Sequence, residues 1–281
     1  MRTLATLVLA ASIAFPAWAQ PGGGMHGESL PASVIVEAST DAMKTNVTTD
    51  ITDIWWLESE SGWGIQFVHN RNILFATLFV YGAGNVPTFL VAVLESTTFG
   101  GGTFTGPLYA TTGSPYGAPW NPAAVSDAVV GTMTFQLTGI GTGNLSYNVG
   151  ATNVSKVISR QTLRFEDNSG DYLLTDTYSG TGSGGCGTGA EQGTLNVVQS
   201  GASATLTINW DGNLCTFPTT YSQTGRFGQY QGTMSCSNGT TGTANFFEVH
   251  NRVKMLTGRY SISNSLGCSY QGRFAAIAPT P

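Results

Sequence analysis

Residues 63–81 constrain the fold of this chain more than any other stretch. Trp63 to His69 alternates along the chain, a tight step follows at Asn70 and Arg71, and a second run of matching character extends from Asn72 to Tyr81. The pattern predicts a β-hairpin, because strand side chains point alternately to opposite faces and a two-residue step joins antiparallel neighbours. With Asn70 and Arg71 as the loop, Phe67 faces Leu74, Ile65 faces Ala76 and Trp63 faces Leu78. Val68, Ile73, Phe75 and Phe79 fall on the other side, so both faces are apolar. An antiparallel sheet with one face in water carries polar residues there. The 63–94 sheet is therefore expected to lie over a core and also under a second domain, another copy of the chain or a ligand.

Similar segments fill the rest of the chain. Runs at 86–95, 97–105, 107–111, 129–137, 143–149 and 155–163 follow the hairpin, each bounded by Gly, Asn or Pro. After the polar, Gly-terminated stretch RFEDNSG at 164–170, a second series begins: 171–178, 193–199, 205–210, 215–222, 227–236, 243–250, 253–262 and 268–277. None of these has a helical period. Two series of short alternating runs predict an all-β protein of two small antiparallel, up-and-down barrels in tandem, since closure removes exposed sheet edges. The expected limits are 48–163 for the first domain, 164–170 for a linker and 171–278 for the second. VHNR occurs at 68–71 and again at 249–252, between two strands each time, as duplication of one barrel would produce.

The N-terminus assigns a compartment. Arg2, an apolar run over 4–15 and Ala17-Trp18-Ala19 read as a secretory signal peptide over 1–19. Residues 20–47, with His26, lack apolar periodicity and read as a mobile leader. No later stretch approaches the roughly 20 apolar residues that cross a bilayer as a helix, so the mature chain is expected in the periplasm or outside the cell. Charged residues are only 10% of the chain, the net charge is −5, and Lys and Arg nowhere cluster. That balance excludes a nucleic-acid partner, whose phosphates demand a basic surface.

Cys186, Cys215, Cys236 and Cys268 are an even set in an exported chain and predict two disulfides. Zinc spacing is absent and His26, His69 and His250 are scattered, so no metal or cofactor is expected. The runs 215–222 and 227–236 form a hairpin centred between Gly225 and Arg226, which places Cys215 opposite Cys236 at a separation a disulfide can span. Cys186 and Cys268 then pair across the seam between the first and last strands of the second barrel.

Candidate chemistry is sparse. Trp55, Trp56 and Trp63 flank the acidic turn holding Glu58 and Glu60, the composition of a sugar platform in which flat rings take C–H faces and carboxylates take hydroxyls. Were the strand continuous, Glu58 and Glu60 would lie roughly 6–7 Å apart on one face, within the range used by glycoside hydrolases; Ser59, Ser61 and Gly62 favour a turn instead. Trp63 falls on the core phase of the hairpin, and adjacent Trp55 and Trp56 must point opposite ways. The proline-rich loop 112–126 presents Tyr116 and Trp120 either as a binding surface or as a lid. Gly182-x-Gly184-x-x-Gly187 matches a dinucleotide fingerprint only as text, because a strand rather than a helix follows it.

The segments WWLESESGWGIQFVH, FTGPLYATTGSPYGAPW, GQYQGTMSCSNGTTGTANFFEV and GCSYQGRF resemble a group of exported bacterial proteins that share an ESGWG-containing β domain. The resemblance covers most of residues 52–277 and brings no catalytic residue with it. The C-terminal half is also similar in architecture to ligand-holding barrels of the streptavidin and lipocalin kind, an analogy of fold alone. The expectation is an exported, non-enzymatic binding protein for a glycan or small amphipathic molecule, with Trp55, Trp56, Glu58, Glu60, Tyr116 and Trp120 as its ligand residues. The alternatives are a polysaccharide hydrolase using Glu58 and Glu60, and a structural surface module.

Overall fold

The computed structural model describes residues 49–279 except 99 and 184. The signal peptide, the leader and His26 lie outside the described residues. The first barrel consists of β1 (Asp53–Trp56), β2 (Gly64–Asn70), β3 (Ile73–Tyr81), β4 (Pro87–Glu95), β5 (Thr103–Thr112), β6 (Ser126–Leu137), β7 (Thr142–Val149) and β8 (Thr152–Arg160). The second consists of β9 (Gly170–Gly182), β10 (Thr188–Ser200), β11 (Ser203–Trp210), β12 (Asn213–Thr224), β13 (Phe227–Cys236), β14 (Thr241–Arg252), β15 (Met255–Asn264) and β16 (Cys268–Ile277). Each set closes on itself in sequence order, β8 against β1 and β16 against β9. Both are up-and-down barrels, so every strand neighbours its successor and neither sheet has a free edge.

The founding hairpin differs from its expected register by two residues. Asn70 pairs with Ile73, Phe67 with Ala76 and Ile65 with Leu78, so the turn is Arg71-Asn72 and Arg71 takes a φ of 57°. An even shift leaves every side chain on its expected face. Ile65, Phe67, Leu74, Ala76 and Leu78 are buried, while Val68, Phe75 and Phe79 are exposed. The outer apolar face is therefore not covered by the second barrel, contrary to the expectation of inter-domain packing through the 63–94 sheet.

Two further differences concern the strand list. Runs 97–105 and 107–111 are not two strands: the single strand β5 spans Thr103–Thr112, and residues 97–98 and 100–102 are outside any strand. The strand that completes the barrel is β1, four residues long, which a run of that length inside DIWW does not announce. The VHNR segments also occupy non-equivalent places. The first closes the β2–β3 hairpin, second to third in its barrel, and the other closes β14–β15, sixth to seventh in its own. Direct duplication would have put them in the same hairpin.

Aromatic and aliphatic side chains fill the first barrel. Trp55 is 0% exposed, its Nε1 donates to Ile51 O at 3.0 Å, and its ring stands edge-on to Phe135 at 5.2 Å and to Phe67 at 6.2 Å. The second barrel packs Leu174, Leu195, Val197, Leu206, Ile208, Phe217, Phe246 and Leu256 around its middle. Its large rings are accommodated by glycines on neighbouring strands: a Cβ on Gly272 would come within 2.4 Å of the Tyr260 ring, and one on Gly180 within 2.6 Å of the Tyr270 ring. Part of the glycine excess thus makes space between strands rather than turns.

The stretch expected as a free linker is tied down. Asn168 is buried, donates from Nδ2 to Tyr230 Oη at 2.7 Å, and accepts at Oδ1 from Asn251 Nδ2 at 2.9 Å. Gln199 Nε2 donates to Glu166 O, and Gln223 Nε2 to Arg164 O. The segment closes the end of the second barrel at which the chain enters. That end also meets the first barrel, where Arg160 is the central residue. Its guanidinium donates to Asp50 O at 2.6 Å, to Thr52 O at 3.3 Å and to Asp53 Oδ2 at 3.1 Å, and its Nε to Ile140 O at 2.7 Å. The same group lies over Trp55 of the first barrel at 4.5 Å and Phe227 of the second at 4.8 Å. Burial lowers its pKa to about 10, which leaves it charged at neutral pH.

Candidate functional site

The residues singled out from the sequence disperse. Trp55 is in the core and cannot form part of a surface platform, because the inward phase of β1 carries it into the barrel. Trp56, one residue on, is half-buried on the opposite phase. Glu58 and Glu60 occupy a 3-10 turn, Glu58–Glu60, so strand geometry does not set their separation. Glu60 is already engaged: Lys156 Nζ lies 2.8 Å from both its oxygens and Trp63 Nε1 donates to it at 3.2 Å. The Lys156 bond holds that carboxyl below its ordinary pKa, the wrong direction for a general acid. Trp63 is only half-buried, because β2 begins at Gly64 and the indole leans out toward Glu60. In the loop between β5 and β6, Tyr116 is 108% exposed and Trp120 71%, and both rings stand in solvent. Thr112 and Ser126 hydroxyls, 2.7 Å apart, pin the base of that loop.

The site that does assemble is in the second barrel. The turns after β9, β11, β13 and β15 gather at the end away from Asn168, where the core stops short of the rim and leaves a cavity of about 280 Å³. Both disulfides stand at this end. Cys215 and Cys236 are direct cross-strand partners with a Cα–Cα distance of 4.0 Å, and Cys186 joins Cys268 across the β9–β16 seam at 5.6 Å. Both pairings match expectation. Of the fingerprint-like glycines, Gly182 ends β9 and Gly187 precedes β10, and a strand rather than a helix follows.

The inward phase of β9 reads Tyr172, Leu174, Asp176, Tyr178, and a carboxylate therefore enters the barrel between apolar neighbours. Directly opposite on β10 is Glu191. Trp210 on β11, Tyr260 on β15 and Tyr270 on β16 complete the walls. Asp176 is 4% exposed; its Oδ2 accepts a short hydrogen bond from Tyr260 Oη, while its Oδ1 has no partner among the described residues. Trp210 Nε1 is likewise buried and unpartnered: it approaches the Asp176 carboxyl closely enough to favour its ionised form without closing a hydrogen bond. Tyr178 Oη donates to Glu191 Oε1 at 3.2 Å and its ring stands edge-on to Tyr270 at 5.6 Å. Burial raises the pKa of Asp176; burial and then the Asp176 charge raise that of Glu191. Beneath this layer is a second space of about 20 Å³, walled by Leu174, Leu195, Leu206 and Phe246. That is room for little more than one water molecule.

Buried polar atoms are normally satisfied, and an unsatisfied one costs about 1–3 kcal/mol. Asp176 Oδ1 and Trp210 Nε1, one acceptor and one donor, face a single cavity whose walls mix aromatic rings with Glu191, Asn213, Asn238 and Asn264, the arrangement of a polar recognition group in a partly apolar pocket. Asp176 was legible as a carboxylate on the apolar phase of a strand. Glu191 was hidden, because GTGAEQG reads as a loop when it is the first half of β10. A Cβ at Gly193 would come within 2.1 Å of Asn209 O, and one at Gly189 would press on the Tyr178 hydroxyl at 3.1 Å.

Among the described residues no helix is long and apolar enough to cross a membrane, and no group of three or more His, Cys, Asp or Glu side chains is placed to hold a metal. No protein-family model and no curated protein matches the chain.

Proposed function

We propose that this is an exported, non-enzymatic binding protein that holds a small amphipathic molecule in the mouth of the second barrel. The observation that carries this reading is the open end of that barrel, where unpartnered Asp176 Oδ1 and Trp210 Nε1 face a cavity walled by aromatic rings. A space of about 280 Å³ suits a molecule of a few to a dozen heavy atoms, near the lower limit of known ligand pockets. Export is supported by the signal-like N-terminus and by two disulfides, which persist in oxidising compartments.

Trp210 is the natural reporter. Titration with monosaccharides, short-chain alcohols and alkylamines, read by thermal shift and tryptophan fluorescence, should find a ligand that both stabilises the protein and changes its emission. In Trp210→Phe the emission change should vanish, and the stabilisation should weaken because the indole N–H is lost. An emission change that survives in this variant would place the ligand elsewhere.

A further inference from the structure

We propose that the ligand of the second barrel is a small organic cation, an ammonium group seated against Asp176 and Glu191 among the rings of Trp210, Tyr178 and Tyr260. The inference rests on the binding reading above and narrows it. Asp176 and Glu191 are directly opposed across β9 and β10, and like charges so placed repel. Among the described residues no Lys, Arg or His lines the cavity to neutralise them. The donors within reach come from neutral side chains: Tyr260 on Asp176, Tyr178 on Glu191, with the Trp210 indole falling short. What the pair lacks is positive charge, and Asp176 Oδ1, buried and unpartnered, is the atom that would receive it.

The walls decide which cation. A hard divalent ion takes six or more oxygen ligands, and among the described residues no group of three or more His, Cys, Asp or Glu side chains is placed to hold one, the cavity having two carboxylates beside neutral Asn, Thr and Tyr side chains. Alkylated ammonium groups are weakly hydrated and are attracted to aromatic faces. A neutral sugar would use the rings but leave the two carboxylates opposed and uncompensated. An anion would meet them directly.

Choline and its neutral carbon isostere, 3,3-dimethylbutan-1-ol, differ only in charge and make the test. Calorimetric titration of the full, disulfide-intact chain should show choline binding at least roughly ten-fold more tightly than the alcohol, the scale of one cation–π contact together with a charge contact. Asp176→Asn, which retains an acceptor for Tyr260, should lose that preference, and Glu191→Gln should reduce it. Both variants should melt no lower than the parent, because each removes one of two opposed charges. If the alcohol matches choline, or if Asp176→Asn binds choline unchanged, the cation inference fails while the binding reading stands. Displacement of choline by an equal concentration of calcium chloride would also overturn it, in favour of a metal site. Absence of binding by these probes and by every neutral molecule of the wider panel would sink both readings.

Discussion

The two barrels have the same strand number, the same antiparallel connectivity and closure by the same first-to-last pairing, yet one is a solid and the other a vessel. In the first, Trp55, Phe67 and Phe135 meet within 6.2 Å of one another, and the inward positions of β2–β4 are aliphatic or aromatic apart from His69 and Thr88 near the strand ends. In the second, the inward series on β9 turns polar at Asp176, and glycines stand beside the rings of Tyr178, Tyr260 and Tyr270. An eight-stranded barrel is just wide enough either to be filled by its side chains or to hold one small ligand. The choice between these is made by a few inward residues and not by topology.

The largest expected difference concerns what holds each barrel closed. Replacing Cys186 and Cys268 by Ser opens a cross-link between residues 82 apart, and chain-entropy reasoning gives a loss of about 4.5 kcal/mol. The first barrel has no counterpart. Urea unfolding of the double variant should show the loss in the second barrel; a change below about 1 kcal/mol would mean that the β9–β16 ladder alone secures the seam.

Next come the interiors. Trp55→Ala should cost about 3–5 kcal/mol, as for other large core truncations. Trp210→Ala, at the rim of a cavity, should cost about 1–2 kcal/mol. Equal losses would show that the second interior is packed like the first.

The two ends of the second barrel should also titrate in opposite senses. At the junction, burial together with Arg226 and Arg252 depresses the His250 pKa from 6.5 to about 4. The unfolded chain then takes up a proton that the native state refuses, so this contribution is present above pH 6.5 and is lost as pH falls toward 4. At the mouth, Asp176 and Glu191 have raised pKa values, so their protonated forms favour the native state at low pH and stability declines as they ionise. As pH rises from 4, the His250 contribution raises the unfolding midpoint and the Asp176 contribution lowers it, so the rise should be shallower in His250→Gln and the opposing decline should be lost in Asp176→Asn. Identical profiles for parent and variants would remove the distinction.

The smallest effect is expected in the first barrel's exposed loop. Trp120→Ala should alter stability by no more than about 0.5 kcal/mol and leave ligand-induced emission at Trp210 unchanged. A lost response would return the loop to the binding surface.

How far residues alone carried the description depends on the kind of signal. The Cys215–Cys236 pair was legible because strand period and turn chemistry agree at Gly225-Arg226, and the faces of the first hairpin were legible even with its register displaced. Trp63 and Trp55 exchanged expected roles because β2 begins one residue later than the alternation suggests, and because β1 is too short to register as a strand. The ligand residues were sought among exposed aromatics near acidic turns. The pocket instead uses an acid on an apolar phase and another inside a glycine-rich run, where packing against Tyr178 and Asn209 overrides local strand propensity.

Arg160 has a consequence for the order in which the molecule is completed. It sits at the last residue of β8, where its bonds to Asp50, Thr52 and Asp53 seal a seam that only Trp55–Arg160 and Trp56–Ser159 pair directly. Phe227, the second ring beneath its guanidinium, is 67 residues further along the chain, and Arg226 beside it forms the ion pair with Asp50 at 2.5 Å. A polypeptide emerges N-terminus first, so Arg160 can make its bonds to Ile140, Asp50, Thr52 and Asp53 as soon as the first barrel is complete, while the Phe227 ring and the Asp50–Arg226 ion pair are added only once the second has followed.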